Sequence, residues 1–267
     1  MTQFLDRPEG RIAYDVTGEG PLVVCIPGMG ELRSAYRATV PALEAAGHRV
    51  ATMDLRGHGD SDVTFSRYDD VAAGEDALAL IDHLGGPAIL VGNSMGAGAA
   101  TWAAAERPDL VTGLVLIGPF VRNPPANPVV RLAFRLMMAR PWARHVWTAY
   151  LPTLSPGRKP ADFAEHRRAI AASMRRPGYA RAFARTTRTS HAPAEARLAD
   201  VRQRTLVVMG ERDPDFPDPA AEARWIAGRL PAEVLLVPEA GHYPQVERPD
   251  VVNPRLVDFC GALVRRA

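Results

Sequence analysis

Short runs of consecutive apolar, often β-branched residues recur along this chain, most of them followed by a stretch of helical composition. That alternation restricts the fold to a mainly parallel sheet with helices on both faces. After a hairpin-like pair near residues 11–20 come PLVVCIPG (21–28), RVATMDLR (49–56), AILVGNS (88–94), GLVLIGPF (113–120), TLVVMGERD (205–213) and AEVLLVPEAGH (232–242). Several are apolar at successive positions, as strands covered on both faces must be, so these are expected to be interior strands. Between them, residues 33–46, 70–84, 95–107, 218–229 and 250–265 have helical spacing or helix-favouring composition, with the short connections that right-handed crossovers use.

One interval breaks the rhythm. Residues 121–200 hold no strand candidate, only three or four helical stretches separated by the breaks NPPANP, TLSPGRKP, RRPG and HAP. With 267 residues, one core domain carrying an insertion fits better than two independent domains. The expected division is a core of 1–120 and 201–267 and a helical cap of 121–200 over the active edge of the sheet. The cap is basic, with 15 Arg/Lys against 4 Asp/Glu, while the rest of the chain has 17 against 26.

Composition removes several function classes. An apolar share of 47% and a charged share of 23% describe a globular chain, and a net charge of +2 does not advertise nucleic-acid binding. No run approaches a membrane span and the N-terminus lacks a signal-like pattern, so the expectation is a cytoplasmic protein with no membrane partner. Cys25 and Cys260 read as buried thiols rather than a disulfide or metal framework. No His/Cys/carboxylate spacing suggests a metal, and no Gly-rich turn matches a dinucleotide or phosphate loop, so no cofactor is expected.

The sharpest motif is Gly92-Asn93-Ser94-Met95-Gly96, which follows AILV and precedes the small-residue stretch AGAATWAAAE. A serine on a tight strand-to-helix turn is forced into a strained backbone conformation that only small flanking residues permit. The turn lifts the hydroxyl clear of the sheet and sets it at a helix N-terminus, where N–H groups face developing negative charge. Ser94 is therefore the candidate nucleophile.

Four motifs in order, PGMG (27–30), DLRGHGDS (54–61), GNSMG (92–96) and GERDPDFP (210–217) with AGHYPQ (240–245), make the chain resemble the α/β-hydrolase superfamily over nearly its whole length outside the cap. The resemblance implies an α/β-hydrolase fold, a mainly parallel eight-stranded sheet with helices on both faces and a helical cap insertion. It also implies a serine, acid, histidine order along the chain. His242, after Ala240-Gly241 at the end of the last strand run, matches the family's base, which a serine hydroxyl needs near neutral pH. His58, His83, His145, His166 and His191 are rivals, but none ends a late strand. Asp213, ending TLVVMGER, is the candidate acid that fixes the imidazole, with Asp215 and Asp218 close behind. By resemblance the oxyanion donors are the N–H groups of Met29 and Met95. The sequence departs from the family at Pro27, where relatives often carry a loop-ordering histidine. The DLRGHGDS stretch is read mainly as loop architecture, with Asp54 and Arg56 as bracing residues.

In the cap, Phe134, Met137, Met138, Trp142, Trp147 and Tyr150 recur at roughly helical spacing. Packing of cap on sheet is the ordinary reading of such a stripe; Phe134, Met138, Trp142 and Trp147 are the candidates for contact with an apolar substrate. Arginines such as Arg167, Arg168, Arg175, Arg176, Arg181, Arg185 and Arg188 read as solvated faces, or as a surface that steers an anionic substrate or an acidic carrier protein. The function expected is a serine hydrolase acting on a small or medium apolar molecule, with a carboxylic ester first and a thioester or lactone close behind. The alternatives are a carbon–carbon hydrolase of diketones, a cofactor-free haloperoxidase side activity, an acyltransferase and a non-turnover ligand receptor.

Overall fold

The computed structural model describes residues 1–123, 128–139 and 141–265. Eight strands form one sheet: β1 (Gln3–Arg7), β2 (Gly10–Thr17), β3 (Leu22–Ile26), β4 (Arg49–Met53), β5 (Ala88–Asn93), β6 (Val111–Ile117), β7 (Thr205–Gly210) and β8 (Ala232–Val237). Their order is β1-β2-β4-β3-β5-β6-β7-β8, with β2 antiparallel to both of its neighbours and every other pairing parallel.

The consecutive apolar runs resolve into two faces with a period of two, because successive side chains of a strand point to opposite sides. Val24, Ile26, Leu90, Leu114, Leu116, Val207 and Met209 join one buried cluster, under α2 (Asp70–Leu84), α3 (Met95–Glu106) and α9 (Pro219–Ala227). Their neighbours Val23, Cys25, Ile89, Val91, Val115, Ile117, Leu206 and Val208 face Leu43 of α1 (Val40–Ala45) and Val252, Leu256 and Phe259 of α11 (Pro249–Val264). Truncating one such Leu or Ile to Ala typically costs about 2–5 kcal/mol. Both cysteines are buried in this second cluster, and burial pushes the thiol of Cys260 up to about 12.

Three elements differ from the sequence reading. The hairpin lies at 3–7 and 10–17 rather than near 11–20, because the chain turns at Pro8-Glu9 and Gly18 ends the second strand instead of joining two. The single helix expected over 33–46 is a 3-10 turn, Arg33–Tyr36, followed by α1; Pro41 starts the new helix from its first turn. Strand β8 is an edge strand, and most of its residues are only partly covered.

Between β6 and β7, the described residues hold five α-helices and no strand: α4 (Pro128–Met137), α5 (Ala143–Tyr150), α6 (Phe163–Ser173), α7 (Tyr179–Thr186) and α8 (Ala192–Arg197). Residues 124–127 of the NPPANP break lie outside the described residues. This insertion has an apolar cluster of its own, in which Met138, Trp147, Leu151, Leu154, Ile170, Met174 and Phe183 meet Tyr243 of the core. No described helix is long and apolar enough to cross a membrane.

Candidate active site

Strand β5 ends at Asn93 and α3 begins at Met95, which leaves Ser94 alone on the turn at φ 56° and ψ −121°. A non-glycine residue at positive φ is strained and persists only where its surroundings hold it. Here the Ser94 N–H donates to Ile117 O at 2.9 Å, and its carbonyl accepts from Ala97 (3.0 Å) and Phe120 (3.3 Å). The flanking glycines have no room for a side chain. A Cβ on Gly92 would lie 2.3 Å from Gly96 O, and one on Gly96 would lie 2.2 Å from Ile26 O.

The candidate base is brought to this turn from the far end of the chain. Asn93 donates through its side-chain amide to Ile117 O (3.1 Å) and to His242 O (3.2 Å), tying the loop after β8 to the elbow. Glu247 of α10 (Pro244–Glu247) fixes the same loop, since its buried carboxylate accepts the N–H groups of Gly241 (2.9 Å) and Tyr243 (3.0 Å). The His242 N–H itself donates to Leu154 O of the insertion at 2.8 Å.

Nδ1 of His242 lies 2.7 Å from Asp213 Oδ2, and the side chains of both are almost wholly buried. Asp215 Oδ2 is farther, at 3.6 Å, and Asp218 is turned away to cap α9, accepting from Ala221 N–H at 2.8 Å. Asp213, Asp215 and His242 are also the one cluster among the described residues with metal-like proximity. Two carboxylates and one imidazole already joined by a hydrogen bond make an acid–base pair without an ion. Burial alone would depress the His242 imidazole, but the charges of Asp213 and then Asp215 outweigh it and lift it to about 9. Ser94 Oγ makes no hydrogen bond to the His242 ring in this structure. Nucleophile–base contacts of this kind commonly tighten only when substrate arrives.

Facing Ser94 is the turn Gly28-Met29-Gly30-Glu31, closed by Glu31 N–H to Gly28 O at 3.2 Å with Gly30 at φ 73°. A Cβ on Gly28 would come within 2.8 Å of Ser94 Cβ, so the two turns touch. Among the described residues, the Met29 and Met95 N–H groups have no acceptor. Two unspent donors beside a strained serine are candidates for an oxyanion site.

His58 braces this turn, a role the sequence reading left unassigned within DLRGHGDS. Its Nε2 accepts the Gly30 N–H at 3.0 Å and its Nδ1 lies 3.0 Å from Arg56 O, a pattern that only the neutral Nδ1–H tautomer satisfies. Burial holds its pKa below the ordinary histidine value. Asp54 and Arg56 hold the surrounding loops, Asp54 by accepting Arg33 N–H (2.7 Å) and Asp60 N–H (3.0 Å), Arg56 through Asp76 (2.6 Å).

Of the four candidate substrate residues of the insertion, three are brought together and Trp142 is not. Phe134, Met138 and Trp147 join the insertion's own cluster, and Trp147 Nε1 donates to Gly30 O at 3.2 Å. Trp142 is 49% exposed, with its indole N–H on Leu136 O at 2.8 Å. The stripe lies on two helices, α4 and α5, because the chain breaks near Pro141, and Trp142 falls on the corner. Phe120 instead stands beside the base, its ring centroid 5.9 Å from that of His242 and 4.9 Å from that of Phe216, with the Tyr243 ring closer to His242 at 5.1 Å. Among the arginines, Arg176 is bound to Gly59 O (2.8 Å) and Asp60 (3.3 Å) rather than left free for a partner.

Residues 23–255 match the profile of the alpha/beta hydrolase family. The chain is 32% identical over 255 residues to the dihydrolipoyllysine-residue acetyltransferase component of the acetoin cleaving system of Pseudomonas putida, an alignment covering 92% of this chain but 65% of that relative. It is 29% identical over 265 residues to 2-(acetamidomethylene)succinate hydrolase of Mesorhizobium japonicum, covering 95% of this chain and 93% of the relative. A thermophilic esterase from Thermogutta terrifontis shares the fold with a TM-score of 0.79 at 24% identity, covering 98% of this chain and 99% of that one. A profile match over most of the length, together with an elbow serine on a parallel sheet, places this chain in the alpha/beta hydrolase family.

Proposed function

We propose that this protein is a serine hydrolase that cleaves a carboxylic ester, or a thioester or lactone, of a small to medium apolar molecule through an acyl-enzyme. The observation that carries this reading is Ser94, held at φ 56° between the unspent N–H donors and the loop of His242. Ser94 Oγ attacks the carbonyl carbon while His242 Nε2, in the neutral form whose share grows as pH rises toward about 9, takes its proton. Asp213, on Nδ1, keeps the ring oriented and stabilises the imidazolium. The carbonyl oxygen, now negative, is held by the N–H groups of Met29 and Met95. His242 returns the proton to the leaving alcohol, and water activated by the same imidazole then releases the acid.

An apolar acyl group is favoured because Phe120 packs on both His242 and Phe216, and buried Met95 follows Ser94. The helical insertion acts as a cap whose Trp147 closes over the Gly30 turn. Purified protein should hydrolyse p-nitrophenyl butyrate, and Ser94→Ala should fold normally and lose roughly 10⁵-fold or more in kcat. Retained turnover in that variant would remove Ser94 from the mechanism. A parallel panel of thioesters, lactones and vinylogous diketones separates ester cleavage from carbon–carbon cleavage.

A further inference from the structure

One segment of the insertion reaches the candidate machinery at three points. Trp147 on α5 donates to Gly30 O at 3.2 Å. Three residues on, the Tyr150 hydroxyl donates to Asp215 Oδ1. Four further on, past the 3-10 turn Leu151–Thr153, Leu154 O accepts the N–H of His242 at 2.8 Å. Trp147 and Tyr150, three residues apart on α5, share one side of that helix, and the turn after it carries Leu154 O, so one continuous stretch contacts the oxyanion turn, a carboxylate and the base.

The middle contact raises a problem of chemistry. Nδ1 of His242 faces two carboxylates, Asp213 Oδ2 at 2.7 Å and Asp215 Oδ2 at 3.6 Å, yet it has one N–H to give. Were Asp215 to capture that proton, the ring would turn away from the orientation Asp213 sets. Asp215 is restrained at both ends, because its N–H donates to Asp213 Oδ1 at 3.0 Å and its side chain accepts from Tyr150.

Taking Ser94, His242 and Asp213 as the reacting groups, we propose that Tyr150 is a positioning residue. Its hydroxyl occupies Asp215, so that Nδ1–H of His242 stays committed to Asp213, and the seating of α5 is thereby transmitted to the base. The other groups facing His242 do not compete for Nδ1. Glu247 is engaged by Gly241 and Tyr243 N–H, and the loop after β6 presents Gly118, Pro119 and Phe120, none of them titratable. Burial and then the charge of Asp215 push the Tyr150 hydroxyl above the usual tyrosine value, so Tyr150 remains a donor across the working range.

The test titrates the imidazole of His242 by ¹H–¹⁵N NMR in the Ser94→Ala background, alongside kcat/KM against pH for p-nitrophenyl butyrate with Ser94 present. The variants are Tyr150→Phe, Asp215→Asn and their combination. Without the Tyr150 hydroxyl, Asp215 places more charge on Nδ1, so the midpoint should rise by about half a unit or more. Asp215→Asn should lower it by about one unit. The double variant should sit at the Asp215→Asn value, because Tyr150 acts only through that carboxylate. A His242 titration unmoved by Tyr150→Phe, or shifts that simply add in the double variant, would overturn the proposal; a merely structural Tyr150 would lower Tm and leave the midpoint in place. The NMR arm needs no turnover, so an error in the catalytic reading would show only in the kinetics.

Discussion

Two histidine–aspartate pairs flank Phe120, and they are nearly identical as pairs. His242 and His191 each place Nδ1 2.7 Å from a fully buried carboxylate, Asp213 and Asp70 respectively, and their rings lie 5.9 Å and 5.4 Å from that of Phe120. Their surroundings differ. His242 sits on a loop tied to the residue before Ser94, with a second carboxylate at 3.6 Å. His191 lies at the start of α8 and binds Asp70 of α2, which also accepts from Thr189 at 3.3 Å. His166 repeats that second pattern from α6, at 2.7 Å from the buried Glu31. An imidazole–carboxylate pair is thus a fastener by default, here used twice to hold the insertion on the core. What makes the third a candidate base is the strained serine and the free N–H donors beside it.

The largest expected effect separates the two pairs directly. Asp213→Asn should lower kcat for p-nitrophenyl butyrate about 10⁴-fold, by unfixing the imidazole tautomer. Asp70→Asn should leave kcat within about 10-fold while Tm falls, because it unpairs the buried His191 contact at a cost of about 1–3 kcal/mol. Equal rate losses in the two variants would abolish the distinction.

A middle-sized effect belongs to His58, the histidine that braces without a carboxylate. His58→Phe should reduce kcat by about 10- to 100-fold with KM little changed, as the Gly30 turn loses its acceptor and the Met29 donor drifts. Steady-state kinetics of that variant beside Asp70→Asn would show whether the brace or the fastener matters more to rate.

The smallest effect is a pH dependence of stability. Asp213 and Asp215 raise the folded-state pKa of His242 to about 9, above the unfolded value near 6.5. The stabilisation this gives is fully present below pH ~6.5 and is lost as pH rises through about 9. Denaturant titrations should show the wild type losing about 2 kcal/mol more than His242→Gln between those limits. Equal losses in the two proteins would mean that the imidazole is not held in its charged form.

Much of the fold was legible because its causes are local. β3, β5, β6 and β7 are apolar at successive positions, since helices cover both faces, and that pattern needs no partner to be read. The elbow was equally plain: a serine between Gly92 and Gly96, after a strand and before a helix, has few other conformations open to it. The helical stripe of the insertion was less secure. Phe134 to Tyr150 has one continuous apolar rhythm in the sequence but lies on two helices, which sends Trp142 outward and Trp147 onto Gly30.

The sequence by itself settled the family, the parallel sheet and the position of the elbow, because each follows from residues within a few places of one another. Only the tertiary structure decided which of three neighbouring aspartates meets His242, which histidine braces the Gly30 turn, and that Tyr150 holds Asp215. Those contacts join residues 28 to 65 positions apart, and chain periodicity carries no information about which side chains meet across such distances. They are set by strand order and by how the insertion packs on the core, where a difference of about one ångström separates a hydrogen-bonded carboxylate from a neighbouring charge.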